Sequence, residues 1–270
     1  MIKQNLHTHS MYCDGKNTIE EMVQCALDKQ FDVLGFSGHG YHCLDENSMD
    51  THERILYMEE IQKMKEKYRN CISIYLGIEE DLMGHRYDSA DFDYIIGSVH
   101  FIKYKDTYRA IDHSKEVMDQ VLHEEYMDDF LAYAKAYYEE VSKLAEYEEV
   151  DIIGHLDLLM KFNEEENYIS FEDPVYCALA KACIDRLIQA DKIFEVNTGA
   201  IARGYRKQPY PAENLLRYIG QHGGKICLNS DCHQKEFLDC FYEESLELIK
   251  ACGFHSIHVL TKDGFKEERL

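Results

Sequence analysis

Short apolar runs alternate with longer amphipathic stretches along the whole 270-residue chain. The apolar runs have the length and the β-branched content of buried strands. We predict seven strands, over residues 2–6, 33–36, 72–78, 94–99, 151–154, 193–197 and 226–229. Strands that alternate with helices in this way form a parallel sheet with βα connections. Seven such units without a linker predict a closed α/β barrel, and we expect residues 1–270 to form a single domain.

The stretches between the apolar runs have helical periodicity. We predict helices over residues 18–30, 51–67, 174–190 and 212–222. Thr18 and Glu21 have the spacing of a capping box, so the first helix is expected to begin there. The acidic, tyrosine-rich stretch 114–147 predicts one or two outer helices with their carboxylates on a solvated face.

Composition restricts the partners of the chain. It carries 51 acidic and 29 basic residues, which gives a formal net charge of −22. So acidic a surface repels polyanions and argues against nucleic acid or an anionic membrane, whereas it is compatible with bound metal ions. No apolar window has the length of a signal peptide or a membrane span. The ten cysteines contain no CxxC pair, which indicates reduced thiols and a cytoplasmic protein.

Potential metal ligands follow six of the seven apolar runs. A barrel gathers the C-terminal ends of its strands on one face, where barrel active sites form. Residues two apart in an extended chain point to the same side, so His7 with His9, and Asp231 with His233, can aim at one cavity. The side chains at these strand ends are His7, His9, His39, Glu79, His100, His155, Asp231 and His233.

This recurrence indicates a metal site, although each position alone has an ordinary interpretation. A lone histidine at a strand end is commonly a hydrogen-bonded core residue, and Glu79 could belong to an acidic turn. Imidazoles together with carboxylates suit Zn, Fe or Mn better than Ca or Mg. Thr8 and Cys232 point away from the expected cavity, so we predict that Cys232 is a packing residue and neither a zinc ligand nor a nucleophile.

An ordered set of motifs resembles the PHP (polymerase and histidinol phosphatase) superfamily, and in particular its histidinol-phosphatase branch. The resemblance implies a distorted (β/α)7 TIM-like barrel with a metal site at the C-terminal ends of the strands. The motifs are His7-Thr8-His9-Ser10, Tyr12-Cys13-Asp14-Gly15, Gly77-Ile78-Glu79-Glu80-Asp81, Gly97-Ser98-Val99-His100-Phe101, Gly154-His155-Leu156-Asp157, Glu195-Val196-Asn197-Thr198-Gly199 and Asn229-Ser230-Asp231-Cys232-His233.

The resemblance also implies three divalent metal ions, with Zn expected and Mn or Fe as alternatives. Gly38 precedes His39 where many family members carry an acid, but that position is not a ligand in the family pattern. The implied ligands are His7, His9, Glu79 and Asp231 for the first position, Glu79 as a bridge with His100 and His155 for the second, and Asp14, His39 and His233 for the third.

The activity that the resemblance implies is hydrolysis of L-histidinol phosphate to L-histidinol and phosphate, in histidine biosynthesis. A water bridging two metals would lose a proton near neutral pH and attack the phosphorus, with Asp231, His233 and Arg203 as catalytic residues. The guanidinium of Arg203 also suits phosphate oxygens. Lys161 and Arg206 are further candidates for phosphate binding, and the alternative for each base is a solvated surface position.

Three other functions stay open at this point. A phosphatase of the same family could act on another small phosphomonoester. A nuclease akin to the exonuclease domains of DNA polymerases is disfavoured by the net charge and by the lack of a basic groove motif. A non-catalytic domain is disfavoured by the intact ligand set.

Histidinol phosphate carries an ammonium and an imidazole, for which Asp112, Glu80 and Asp81 are candidate acidic contacts. Nothing in the sequence predicts an oligomeric state.

Overall fold

A computed structural model describes residues 2–270 of the chain. Seven of its strands form one parallel sheet, and the other four form two antiparallel hairpins. Within the described residues the strands are β1 (Gln4–Asn5), β2 (Val33–Phe36), β3 (Ser73–Asp81), β4 (Tyr94–Ser98), β5 (Phe101–Tyr104), β6 (Thr107–Ala110), β7 (Ile152–Ile153), β8 (Ile193–Asn197), β9 (Lys225–Asn229), β10 (Ser256–Thr261) and β11 (Gly264–Arg269).

The order β1-β2-β3-β4-β7-β8-β9 brings the first and last strands of the sheet to its two edges. These edges meet just beyond the strands, where Thr8 and Cys232 form a parallel bridge. His9 N donates to Cys232 O at 2.9 Å, and Cys232 N donates to His7 O at 3.0 Å. Because all seven strands are parallel and the edges are joined, the predicted seven-stranded barrel is confirmed.

Helices pack around the barrel between the strands. The predicted capping box is present at Thr18 and Glu21. The stretch 114–147 forms two helices, because Met127 adopts a left-handed conformation and Asp129 then caps a new helix start. The helices are α1 (Ile19–Asp28), α2 (Thr51–Tyr68), α3 (Lys115–Tyr126), α4 (Phe130–Lys143), α5 (Asn163–Glu166), α6 (Pro174–Gln189), α7 (Gly199–Ala202), α8 (Glu213–Gln221) and α9 (Tyr242–Ala251).

Tyr94 fills the interior of the barrel beneath the strand ends. It is 1 % exposed, and its hydroxyl donates to the carbonyl of Leu6. β2 and β3 provide the space for its ring with Gly35 and Gly77, where a Cβ would overlap Tyr94. Leu260 of β10 packs into the same cluster of buried side chains. The barrel therefore has a packed interior, and its functional groups lie at one end.

The predictions over residues 2–6 and 72–78 differ most from the observed strands. β1 pairs with β2 over two residues only, and the next amide, His7 N, donates to the side chain of Asn5 at 3.1 Å. β3 continues to Asp81 by pairing with β4, so Glu79 lies inside this strand. The hairpins β5–β6 and β10–β11 were not predicted.

Candidate metal centre and active site

A cavity of about 240 Å³ opens at the C-terminal ends of the barrel strands. Its wall contains most of the predicted site residues, and the hairpin β5–β6 forms one side of it. The residues that line it are Asp14, His39, Asp45, Asn47, Glu79, His100, Phe101, Ala110, Asp112, His113, His155, Leu158, Lys161, Arg203, Asp231 and His233.

Glu79 lies at the centre of the cluster and is 1 % exposed. Its Oε1 is 3.1 Å from His155 Nε2 and 3.5 Å from His100 Nε2. Its Oε2 is 3.3 Å from His7 Nε2 and 3.0 Å from His39 Nδ1. A carboxylate with imidazoles near both oxygens has the arrangement that a ligand shared by two metal ions would need.

Asp231 and Asp14 complete the cluster on the other side. Asp231 Oδ1 lies 3.3 Å from His9 Nε2. Asp14 Oδ2 lies 3.0 Å from His233 Nε2, and its Oδ1 lies 3.7 Å from His39 Nε2. All nine side chains predicted as metal ligands are thus brought together, from seven different places along the chain.

These donor atoms fit divalent cations in spacing and in hydrogen bonding. Two ligands of a tetrahedral zinc ion are about 3.4 Å apart, given bonds of about 2.1 Å. Buried polar atoms without a partner are rare because they are costly. Here His7 Nε2, His9 Nε2, Glu79 Oε2 and Asp14 Oδ1 are buried without a hydrogen-bond partner among the described residues. Cations at these positions would satisfy all four atoms.

The described residues contain three groups with ligand atoms within 4.8 Å of one another. They agree with the implied metal positions except at two residues. His9 belongs to the first group and also to the third, while Asp231 lies beside the first group without being a member. The groups are His7, His9 and Glu79; Glu79, His100 and His155; and His9, Asp14, His39 and His233.

The charged groups of the cluster shift one another's pKa values. Burial opposes ionisation of Glu79, but the neighbouring His7 and His100 lower the pKa of this carboxyl well below its usual range. Burial lowers the pKa of His9 to about 3, and the nearby His233 acts in the same direction. Burial also opposes protonation of His100, yet Glu79 raises its pKa to about 9. Opposed shifts of this size in one cavity are typical of functional sites.

Two predicted phosphate contacts line the cavity. Arg203 Nη2 lies 3.0 Å from Asp231 Oδ2. Lys161 is 8 % exposed, and its Nζ donates to Asp112 O at 2.7 Å and lies 3.3 Å from Asp112 Oδ2. Each cation is therefore held beside the candidate metal ligands by a carboxylate; Lys161 is buried, whereas the Arg203 side chain is 32 % exposed.

Arg206, the third candidate for phosphate binding, is not among the residues that line the cavity. The surface alternative is wrong, because the residue is 4 % exposed. Its Nη1 lies 3.4 Å from Asp157 Oδ2, and its guanidinium stacks 4.2 Å from the centre of the Tyr210 ring. Arg206 thus neutralises a buried carboxylate within the protein.

Cys232 is 1 % exposed and its Sγ donates to Gln234 O at 2.8 Å, which confirms the predicted packing role.

Of the three acidic residues considered for the substrate, only Asp112 lines the cavity. Glu80 points away and pairs with Arg86, with Glu80 Oε2 2.7 Å from Arg86 Nη1. Asp81 accepts a hydrogen bond from His100 N at 2.6 Å, so it supports a predicted ligand. His113 received no role from the sequence but lines the cavity.

The sequence also gave no role to Glu195, although it stands in one of the motifs. Its Oε1 lies 2.7 Å from His7 Nδ1. Phe101, Asp45 and Asn47 are further cavity residues that were not predicted. The hairpin over residues 101–110 brings Phe101 and His113 to the cavity, and its apolar pattern gives no clear strand signal.

A model of the PHP domain matches residues 5–199, well over half of the chain. The chain belongs to the PHP domain family. This PHP domain is similar to a probable histidinol-phosphatase of Deinococcus radiodurans, with 27 % identity over 265 residues that cover 93 % of this chain and 94 % of the relative. It is also similar to a histidinol-phosphatase of Bacillus subtilis, with 24 % identity over 275 residues that cover 92 % and 99 %.

A solved structure with the same fold is histidinol phosphate phosphatase from Lactococcus lactis, complexed with Zn, L-histidinol and phosphate. The TM-score is 0.73 at 20 % sequence identity, and the match covers 98 % of each chain. This similarity confirms the TIM-like barrel predicted for this PHP domain.

Proposed function

We propose that this chain is a metal-dependent phosphatase that hydrolyses L-histidinol phosphate to L-histidinol and phosphate. The observation that carries the proposal is a single cavity in which a cluster of imidazoles and carboxylates adjoins Arg203 and Lys161. The first set suits divalent cations, and the second suits phosphate oxygens. Relatives that match over more than nine-tenths of their length and are named histidinol-phosphatase support the choice of substrate.

The proposed centre holds three divalent cations, with Zn as the first choice and Mn or Fe as alternatives. Zn is supported by the structure of the Lactococcus lactis enzyme, which contains it. Cations bound there activate water as a nucleophile and neutralise charge on the phosphoryl oxygens. The ligands are His7, His9, Asp14, His39, Glu79, His100, His155, Asp231 and His233.

Arg203 and Lys161 bind and orient the phosphate in this proposal. Asp231 holds the guanidinium of Arg203, and Asp112 holds the ammonium of Lys161. Groups held in place before the substrate arrives stabilise the developing charge without reorganising. Asp231 and His233 both contact Arg203, with His233 Nδ1 3.1 Å from Arg203 Nη1, so we include them with it as catalytic residues.

The part of the cavity beyond the phosphate would receive the cationic portion of the substrate. Asp45 and Asp112 contribute carboxylates to this wall, and Phe101 and His113 contribute rings. Carboxylates attract the ammonium of histidinol, while an aromatic ring offers a face to its imidazole.

The same proposal makes the enzyme a single cytoplasmic domain that acts on a small molecule. All ten cysteines are free, which suits a reducing compartment. No helix among residues 2–270 is long and apolar enough to cross a membrane. The net charge of −22 repels nucleic acid, which argues against the nuclease alternative.

Phosphate release from a panel of monoesters tests the substrate. The panel contains L-histidinol phosphate, sugar phosphates and nucleoside monophosphates, with the zinc-loaded chain at one pH. We expect kcat/KM for L-histidinol phosphate to exceed the others by about 100-fold or more. A His155→Ala variant controls for contaminating phosphatase and should release no phosphate. Comparable kcat/KM for all monoesters would contradict the proposed substrate.

A further inference from the structure

Glu195 is a buried carboxylate that does not line the cavity and is 0 % exposed. Its Oε1 accepts hydrogen bonds from His7 Nδ1 at 2.7 Å and from Asn229 Nδ2 at 2.9 Å. Its Oε2 accepts from His155 N at 3.0 Å and from Asn197 Nδ2 at 2.8 Å. All four neighbours donate, so the side chain is used only as an acceptor.

The contact with Oε1 determines which nitrogen of His7 can bind a metal. Because the carboxylate accepts, the proton of the neutral imidazole stays on Nδ1 and leaves Nε2 as a lone pair. His7 Nε2 is the atom that lies 3.3 Å from Glu79 Oε2 without a hydrogen-bond partner among the described residues. Carboxylates that hold metal-binding histidines in this way fix both tautomer and ring orientation.

The contact with Oε2 fixes the backbone at the next ligand. β7 is only two residues long, so strand pairing ends before His155. The hydrogen bond from His155 N to Glu195 holds the chain at this point and keeps His155 Nε2 3.1 Å from Glu79 Oε1. Glu195 thus supports both His7 and His155, which lie beside different oxygens of Glu79.

We propose that Glu195 is a positioning residue that couples the two metal positions sharing Glu79. It holds His7 at one position and His155 at the other. The third position, around Asp14 and His233, has no hydrogen bond to Glu195 among the described residues. This inference rests on the metal centre of the proposed function, but not on the identity of the phosphomonoester.

Glutamine at position 195 provides a near-isosteric test. An amide has one oxygen and one NH₂ group, so either orientation points N–H groups at two donors. If the NH₂ faces His7, the imidazole must accept at Nδ1 and carry its proton on Nε2, which then cannot bind a metal. If the NH₂ faces His155 N, two donors meet and the backbone moves.

Zinc titration of the chelator-stripped full chain, in competition with a chromophoric chelator, measures the effect. We expect Glu195→Gln to weaken Zn²⁺ binding by about 10- to 100-fold at the positions sharing Glu79, with one binding step unchanged. The Co²⁺ absorption spectrum should lose the bands of the weakened positions. Asp157→Asn is the matched control, because it removes an equally buried carboxylate that pairs with Arg206, and should bind Zn²⁺ like the wild type.

Circular dichroism checks that each variant is folded. If Glu195→Gln does not fold, Glu195→Asp replaces it, since the shorter side chain keeps the charge but cannot reach both His7 and His155. A folded variant with wild-type Zn²⁺ binding would overturn the inference, and so would equal weakening of every binding step. Absence of Zn²⁺ binding by the wild-type chain would instead overturn the proposed metal centre.

Discussion

Arg203 joins the metal cluster to the expected position of the phosphate. It follows β8 and α7, while its partner Asp231 follows β9, so the pairing of these two neighbouring strands brings the residues together. The acidity of the chain makes this cation important, because a phosphomonoester approaches a protein with a net charge of −22. In the proposed function, bound cations and two basic side chains would reverse that repulsion locally.

Replacing Arg203 should impair the reaction with phosphomonoesters. We expect Arg203→Ala to lower kcat/KM for L-histidinol phosphate by about 100-fold, because a preorganised donor to the phosphoryl oxygens is lost. Arg203→Lys should recover part of the loss, since an ammonium keeps the charge but lacks the forked geometry. Steady-state phosphate release measures kcat/KM of both variants. Arg217→Ala is the control, because Arg217 pairs with Glu213 on the surface. Unchanged kcat/KM in Arg203→Ala would contradict this role.

Residues at strand ends could be predicted from the sequence, whereas supporting residues could not. His7 and His9 follow a strand with a spacing of two, which identifies their common side. Glu195 lies inside a strand, and nothing in the sequence shows that its side chain enters the barrel and not the outer layer. The burial of Arg206 could not be predicted for a similar reason, because only the fold brings it beside Asp157.

At the scale of elements, β3 and β4 show how the barrel interior is filled. Gly77 and Tyr94 are paired residues of these two strands. The Tyr94 ring occupies the space that a side chain at position 77 would take, and its hydroxyl crosses to Leu6. The interior beneath the metal cluster is therefore specified by one aromatic ring and the glycines beside it.

A side chain at position 77 should destabilise the barrel. We expect Gly77→Ala to lower the free energy of unfolding by about 1–3 kcal/mol, because the Tyr94 ring must move within a packed interior. Urea denaturation measures the change. In a Tyr94→Leu background the same substitution should lower the free energy of unfolding by less, since the atoms that overlap with the new Cβ are absent. An equal loss of unfolding free energy in both backgrounds would show that the Tyr94 ring does not require a glycine at position 77.

The barrel strands were easier to predict than the hairpins. Residues 33–36 and 193–197 agree with β2 and β8 to the residue, because buried parallel strands are short continuous apolar runs. β5 and β6 carry polar and charged residues on an exposed hairpin, so the apolar pattern does not distinguish them from a loop. His113 follows this hairpin, and its position in the cavity was missed for that reason.

At the scale of the whole molecule, Asp239 connects distant parts of the chain. Its Oδ2 lies 3.0 Å from Lys3 Nζ, before β1, and its Oδ1 lies 2.5 Å from Lys29 Nζ, at the end of α1. Burial raises the pKa of this carboxyl, but the hydrogen bonds from the two lysines lower it below its usual value of 3.8. The contacts hold the loop before α9 against the first strand and the first helix.

This pKa shift predicts the sign of a pH dependence. The pKa of this carboxyl is lower in the folded protein than in the unfolded chain, where it is 3.8. The carboxylate therefore stabilises the fold fully above pH 3.8, and this stabilisation is lost as the pH falls through the pKa of the folded protein. We expect Asp239→Asn to lower the free energy of unfolding by about 1 kcal/mol at pH 7, with the difference from wild type shrinking below pH 3.8. Urea denaturation at several pH values measures it. Asp263→Asn, in an exposed pair with Lys266, is the control. A difference that grows on acidification would contradict the assignment.

Reversible loss of zinc shows whether one metal-loaded cavity performs the hydrolysis. Phosphate release from L-histidinol phosphate is measured with the purified chain, after removal of metal by a chelator, and after addition of Zn²⁺. We expect that removal of the metal abolishes the activity and that Zn²⁺ restores it in proportion to the zinc bound. Full phosphate release by a chain whose measured metal content is negligible would contradict it.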